Sequence, residues 1–267
     1  MKSAGVRMPL FALLSLTLTG TAATLNAPSA QYASISAALM RSKSGDTVMV
    51  ADGTYRETLV VPAGVTLMAR NLLKAEIRSG KRGACITAGG EVTVQGFVIS
   101  QGTIGVMTRG TGNRIEKCMI ARSSQSGVLS VGVLPALQDN LIVFNGGSGI
   151  QGQDLRSTSA SVNHNTIAYN TGHGIALSGN SNIVVENNII AFNEKFAIST
   201  SGPGVQYTAI ANNFCRNGAA APLPAGTISE DPLFVNARKM DFTLGESSPC
   251  RGRAADNGDI GARIGRY

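Results

Sequence analysis

Tryptophan is absent from this 267-residue chain, and aromatic residues make up only 5% of it. So sparse a supply of stacking surfaces argues against a nucleic-acid binder. The basic excess is mild too: +7, or +5 without Lys2 and Arg7, short of a nucleic-acid footprint. Histidine is nearly missing. His164 and His173 are the only two, and neither has Cys or carboxylate partners at metal-ligand spacing, so no metal site and no cofactor are expected. Beyond the first residues there is no long apolar run, and therefore no expected membrane span.

The start of the chain has the shape of an export signal. Lys2 and Arg7 form a basic beginning, residues 8–19 are apolar, and Thr21, Ala22 and Ala23 are small. That predicts a signal peptide over residues 1–23, too short to cross a bilayer, and a periplasmic or secreted protein over 24–267. No Cys follows the apolar run, which argues against a lipid anchor. The four cysteines, Cys85, Cys118, Cys215 and Cys250, are an even number in a compartment that permits disulfides.

Glycine is abundant, with 32 residues, which suits tight turns between thin strands of Val, Ile and Leu. Between residues 136 and 200 the pattern repeats. Residues 137–142, 162–167 and 185–190 each carry a branched residue, an Asn at the fourth position and Ile at the sixth, followed by a second Asn: Asn145, Asn170 and Asn193. A short strand then opens at Gly149, Gly174 or Ala197. Spacings of 25 and 23 residues, too short to bury a core singly, predict a solenoid over 47–218. Extended to residues 92–99, 115–120 and 210–215, the alignment gives roughly seven or eight coils of about 4.8 Å each. It puts Asn213 in the first Asn column and Cys215 among inward Ile residues. The Asn columns are expected to form amide ladders at left-handed corners.

Before the coils, residues 31–40 read as an amphipathic helix. Gly45-Asp-Thr-Val48, Asp52-Gly-Thr-Tyr55, Glu57-Thr-Leu59 and Pro62-Ala-Gly64 follow in order. This resembles the N-terminal cap of the pectin-lyase-like superfamily of right-handed parallel β-helices. The resemblance implies an all-β solenoid with a helix cap over 31–46 and a closing strand and tail over 219–267, covering the second open end. A Cys215–Cys250 disulfide pinning that tail is one reading; Cys85 and Cys118 fall at different places on the turn and read as buried thiols.

Function in this superfamily lies on one outer face, along the strand after the Gly of each coil. Alternation puts Gln151, Ala176 and Ser199 outward there. Arg82, Arg122, His173 and Lys195 flank it on the entering turn, and Arg109, Asp154 and Arg156 on the leaving turn. The resemblance implies an acidic polysaccharide as partner. His173 or Lys195 as base, with Arg109, Arg122 or Arg156 on a sugar carboxylate, suits β-elimination from a uronic-acid polymer. Bound substrate would also meet Gln151 and Asp154. The paired Asp of polygalacturonases, the calcium cluster of pectate lyases and the Asp-Pro-His of alginate epimerases are missing, so a non-catalytic glycan-binding or structural module is the alternative. Basic residues between 70 and 122 outnumber acidic ones, a surface for an anionic polymer.

Overall fold

The computed structural model describes residues 21–79, 83–156, 159–218 and 223–264. The basic start of the expected signal, its apolar run, Lys81 and Arg82 lie outside these residues. Three parallel sheets wrap one apolar core: nine strands from Thr24–Ala27 to Val205–Ile210, eight from Gly53–Tyr55 to Asn213–Cys215, and seven from Leu59–Val61 to Ile198–Ser201. The chain visits them in turn, so neighbours in every sheet come from successive coils. Among the described residues helix is confined to Ile35–Leu39 and a 3-10 turn at Ala237–Lys239.

The core is a set of columns. Ile99, Ile120, Ile142, Ile167 and Ile190 stack in register in the eight-stranded sheet, and all are fully buried. Val106, Val128, Ile150 and Ile175 do the same in the seven-stranded sheet. Each such side chain contributes about 1.5–3 kcal/mol on leaving water.

The cap is explained by unsatisfied N–H groups. The helix is shorter than the expected residues 31–40, and Ser34 caps it by accepting from Ala37 N at 3.1 Å. Glu57 reaches across from the coils, its carboxylate accepting from Ile35 N at 3.1 Å and Ser36 N at 2.9 Å. A helix only five residues long is thus held by a partner far along the chain. Ala23 donates to Asp46 Oδ1 at 2.8 Å and accepts from Thr47 N at 2.8 Å, so the folded cap engages the chain from residue 23, the last residue of the expected signal.

Both Asn ladders form. Asn140 Nδ2 donates to Asn165 Oδ1 at 2.9 Å and Asn165 Nδ2 to Asn188 Oδ1 at 3.0 Å; Asn145, Asn170 and Asn193 repeat the arrangement. Two expectations need correction. The left-handed residues are those before each Asn: Asp139, His164 and Asn187 in one column, Phe144, Tyr169 and Phe192 in the other, with φ between 49° and 58°. The bend turns the following Asn inward, where it is fully buried or nearly so. Secondly, the first ladder ends on Asn212, which accepts from Asn188 Nδ2 at 3.0 Å. Asn213 pairs with Ile189 instead, and Phe214 continues the Ile column. The last coil is one residue shorter than assumed. Cys215 therefore lies level with Ala191 and faces outward, and all four cysteines are free and buried.

From Val98–Ser100 onward the eight-stranded sheet is buried on both faces. Five of its strands, from Val98–Ser100 to Ile189–Ala191, expose no residue. Triplets buried at every position and mostly apolar are the mark of a doubly covered sheet. The cover is the C-terminal segment. A two-stranded antiparallel ribbon, Phe234–Asn236 with Asp241–Leu244, sets Phe242 against Phe144 and Tyr169. The tail then runs backward along the stack: Gly261 N to Asn187 O at 2.8 Å, Ala262 N to Thr166 Oγ1 at 3.1 Å, Arg263 N to Asp139 Oδ1 at 3.2 Å. The closing segment straps the side of the solenoid over three coils, in addition to the parallel bridge Ile228 makes with Asn213 at its end.

Candidate functional site

Each coil enters the seven-stranded sheet through Gly105, Gly127, Gly149, Gly174 or Ala197. A Cβ on Gly149 would lie 2.5 Å from Ile167 Cγ2 and 2.9 Å from Gly174 O. That crowding keeps the entry column small and turns the preceding residues, Ser126, Ser148, His173 and Phe196, to its outer side. Ser126 Oγ donates to Gln151 Oε1 at 2.7 Å, which ties this column to the row Gln151, Ala176, Ser199. Those three are in register and half-exposed, as the alternation predicts. With Oε1 accepting from Ser126, the Gln151 side chain has its amide NH2 as remaining donor.

His173 is held from two sides. Its backbone N donates to Ser148 Oγ at 3.2 Å, and its ring lies 5.8 Å from the Phe196 ring, 4° from parallel. Phe196 N donates to His173 Nδ1 at 3.3 Å. In the neutral ring the proton is therefore on Nε2, and the imidazole offers a donor. Lys195 sits one coil on, its N–H bonded to Gly172 O at 3.1 Å. Burial first, then the Lys195 charge, lowers the His173 pKa from its ordinary value, so the two side chains share one field.

The arginines do not gather there. Arg109 pairs with Val131, in the strand two before that of His173's coil, so it stands three coil spacings, roughly 14 Å, along the axis. Arg122 occupies a left-handed corner and faces the eight-stranded sheet, where its charge acts on Glu76. Burial works against that carboxylate, yet hydrogen bonds from Arg78 and Ser100 with the Arg78 and Arg122 charges hold its pKa low. Arg156 and Asp154 are exposed on the leaving turn, Asp154 in a left-handed bulge where the strand shifts register against the next coil. Arg82 lies outside the described residues. The basic stretch is partly neutralised: Arg78 pairs with Glu76 at 2.8 Å and Arg114 with Glu116.

Sequence reasoning missed Phe196 and Ser148. Their signal was present, since both occupy the position before the small residue that aligns with Gly174, the position of His173 itself. His164 is far from this face, buried at 3% exposure and 3.4 Å from Asp256 Oδ2 in the tail. Among the described residues no group of three or more His, Cys, Asp or Glu could hold a metal, and no helix is long and apolar enough to cross a membrane.

Among solved structures the chain is similar to an alginate lyase from Paenibacillus sp. str. FPU-7, at 14% identity and TM-score 0.54, over 78% of this chain and 95% of that one. It is also similar to the pectate lyase Pel9A, at 12% identity and TM-score 0.46, over 92% of this chain and 97% of that one. A pectin methylesterase from Aspergillus niger follows at 11% identity and TM-score 0.41, over 80% and 91%. At such identities the likeness is one of fold. No curated protein matches. Residues 44–214, well over half of the chain, match the family described as "Right handed beta helix region", and with its three parallel sheets and stacked coils the chain belongs to that family.

Proposed function

We propose that the outer face of the seven-stranded sheet takes an acidic polysaccharide lengthwise and that the protein cleaves it as a lyase, by β-elimination at His173 and Lys195. The observation that carries this reading is the pairing of the two: an imidazole whose Nε2 bears a proton stands within the field of a lysine, beside an open row of small polar residues. In β-elimination the C5–H proton leaves to a base, a C4–C5 double bond forms, the C4–O4 bond breaks and O4 is protonated. Lys195 is the residue of the pair assigned the C5 proton, because His173 Nδ1 already accepts from Phe196 N. His173 Nε2–H then serves the carboxylate or the departing O4, and Gln151 adds an amide donor. Arg109 would meet a sugar several units away, as would Arg156 and Asp154 toward the far rim.

A second reading rests on the same Nδ1 bond. With Nδ1 occupied and the arginines dispersed, the face supplies donors for carboxylates without an assembled base, as a glycan-binding module would. On either reading the protein acts outside the cytoplasm, periplasmic or secreted, after loss of its N-terminal signal.

Incubation with pectate, alginate and glycosaminoglycans separates the two. A lyase releases an unsaturated uronate seen by its ultraviolet absorbance. Retained binding with no such product supports the module, and neither binding nor product on any of them defeats both.

A further inference from the structure

Two of the four cysteines meet at the seam between the last coil and the closing segment. Phe214 turns inward, so Asn213 and Cys215 face outward on the last strand of the eight-stranded sheet. Cys250 lies in the segment laid over that strand. Asn213 Nδ2 donates to Cys250 Sγ at 3.0 Å, and Cys215 and Cys250 share one apolar cluster with Ile189, Ala191, Ala254 and Ile260. They are 3% and 0% exposed. The other two thiols are committed elsewhere: Cys85 Sγ bonds Ser100 O at 3.4 Å and Cys118 Sγ bonds Glu116 O at 3.2 Å, both inside the coils.

We infer that Cys215 and Cys250 are a redox staple: oxidised to a disulfide, they lock the closing segment onto the last coil. The oxidant required is a small-molecule disulfide such as oxidised glutathione. One cysteine thiolate attacks it, releasing one glutathione thiol and leaving a mixed disulfide; the other cysteine thiolate then displaces the second glutathione. Two S–H bonds are lost, one protein S–S bond forms, and the glutathione disulfide is reduced to two thiols. Burial raises the pKa of both thiols, and the neighbouring Cys215 raises that of Cys250 further, against the Asn213 and Ser248 hydrogen bonds that lower it. Thiolate is therefore scarce once the seam is shut, and closure belongs to folding, as the tail docks. The bond joins residues 215 and 250 around a long loop and so restricts the unfolded chain.

The test is refolding of the denatured, reduced full chain with a reduced and oxidised glutathione pair, followed by alkylation, intact mass and peptide mapping. The expected product is lighter by two hydrogens, links the peptides of Cys215 and Cys250, carries alkyl groups on Cys85 and Cys118 after denaturation, and melts higher than the protein refolded in reductant. Cys215→Ser and Cys250→Ala should each lose both the link and the rise in melting temperature. Alkylation of all four cysteines in a correctly folded product, a link through Cys85 or Cys118, or a link that lowers the melting temperature overturns the staple. Should Cys250→Ala not fold, Cys215→Ser alone decides.

Discussion

Phe196 grips His173 twice, through its backbone N–H on Nδ1 at 3.3 Å and through a ring stacked 4° from parallel. The imidazole is thereby fixed in plane and in tautomer. His173→Ala should abolish turnover of whichever polyuronate is a substrate, and weaken its binding if the face is only a binding surface, with the melting temperature little changed. Assay and calorimetry on the same preparation check this.

The pH dependence follows from the sign of the shift. Burial and then Lys195 hold the His173 pKa below its ordinary value of 6.5. The ring's contribution to stability is therefore present above the unfolded value and is lost as pH falls through the lower folded value. Lys195→Met removes one of the two causes, so the imidazole should titrate at higher pH. Proton NMR of the ring reads this directly, and an unmoved titration would place Lys195 out of range.

The Asn ladders give a graded stability prediction. Asn165→Ala deletes donors to Leu137 O and Asn188 Oδ1 and leaves Asn140 N and Nδ2 without their acceptor, all fully buried. A loss of about 3 kcal/mol or more is expected from such unsatisfied groups. Asn217→Ala also removes the acceptor of Asn193 N and Nδ2, but at the half-exposed end of the second ladder, where water can take its place, and should cost only about 1 kcal/mol. Denaturant melts of the two variants compare them.

Gly149→Ala should cost about 1–3 kcal/mol, because the added methyl runs into Ile167 and the backbone of the next coil. Ala197→Gly, the equivalent position one coil beyond Gly174, should be nearly neutral in thermal melts.

The tail has its own pH signature. Arg263 first, then the Gly258 N–H, holds the Asp256 pKa down to about 2 from 3.8. A depressed carboxylate stabilises the docked tail above its unfolded value and loses that contribution as pH falls through the folded one. The protection of Gly261, Ala262 and Arg263 against hydrogen exchange, taken relative to the intrinsic rate at each pH, should fall between about pH 4 and pH 2, and Arg263→Gln should bring that loss to higher pH.

Most of the solenoid was legible because its columns repeat: Ile142, Ile167 and Ile190, or Asn140, Asn165 and Asn188, name their neighbours by spacing alone. The last coil differs from the expected register because Asn212 and Asn213 are adjacent and identical, so a one-residue slip keeps an Asn in the ladder while moving Cys215 from the seam to the core. The tail was expected over the second open end, although Met119-Ile120-Ala121 and Leu141-Ile142-Val143, apolar on both faces, announce a sheet with no free side. The placing of Lys195 one coil on from His173 followed from coil length. The dispersal of Arg109, Arg122 and Arg156 did not, since turns of unequal length carry no register.

The strap changes how such a stack can come apart. Coils that touch only their neighbours open one at a time from an end, each at its own cost. Here one peptide contacts Asn187, Thr166 and Asp139, on three successive coils. Freeing the last coil means first peeling a segment that also holds the three before it. The C-terminal half of the molecule, including the coil of His173, therefore opens as a block, and any motion that loosens the His173 groove has to pass through the far side of the solenoid.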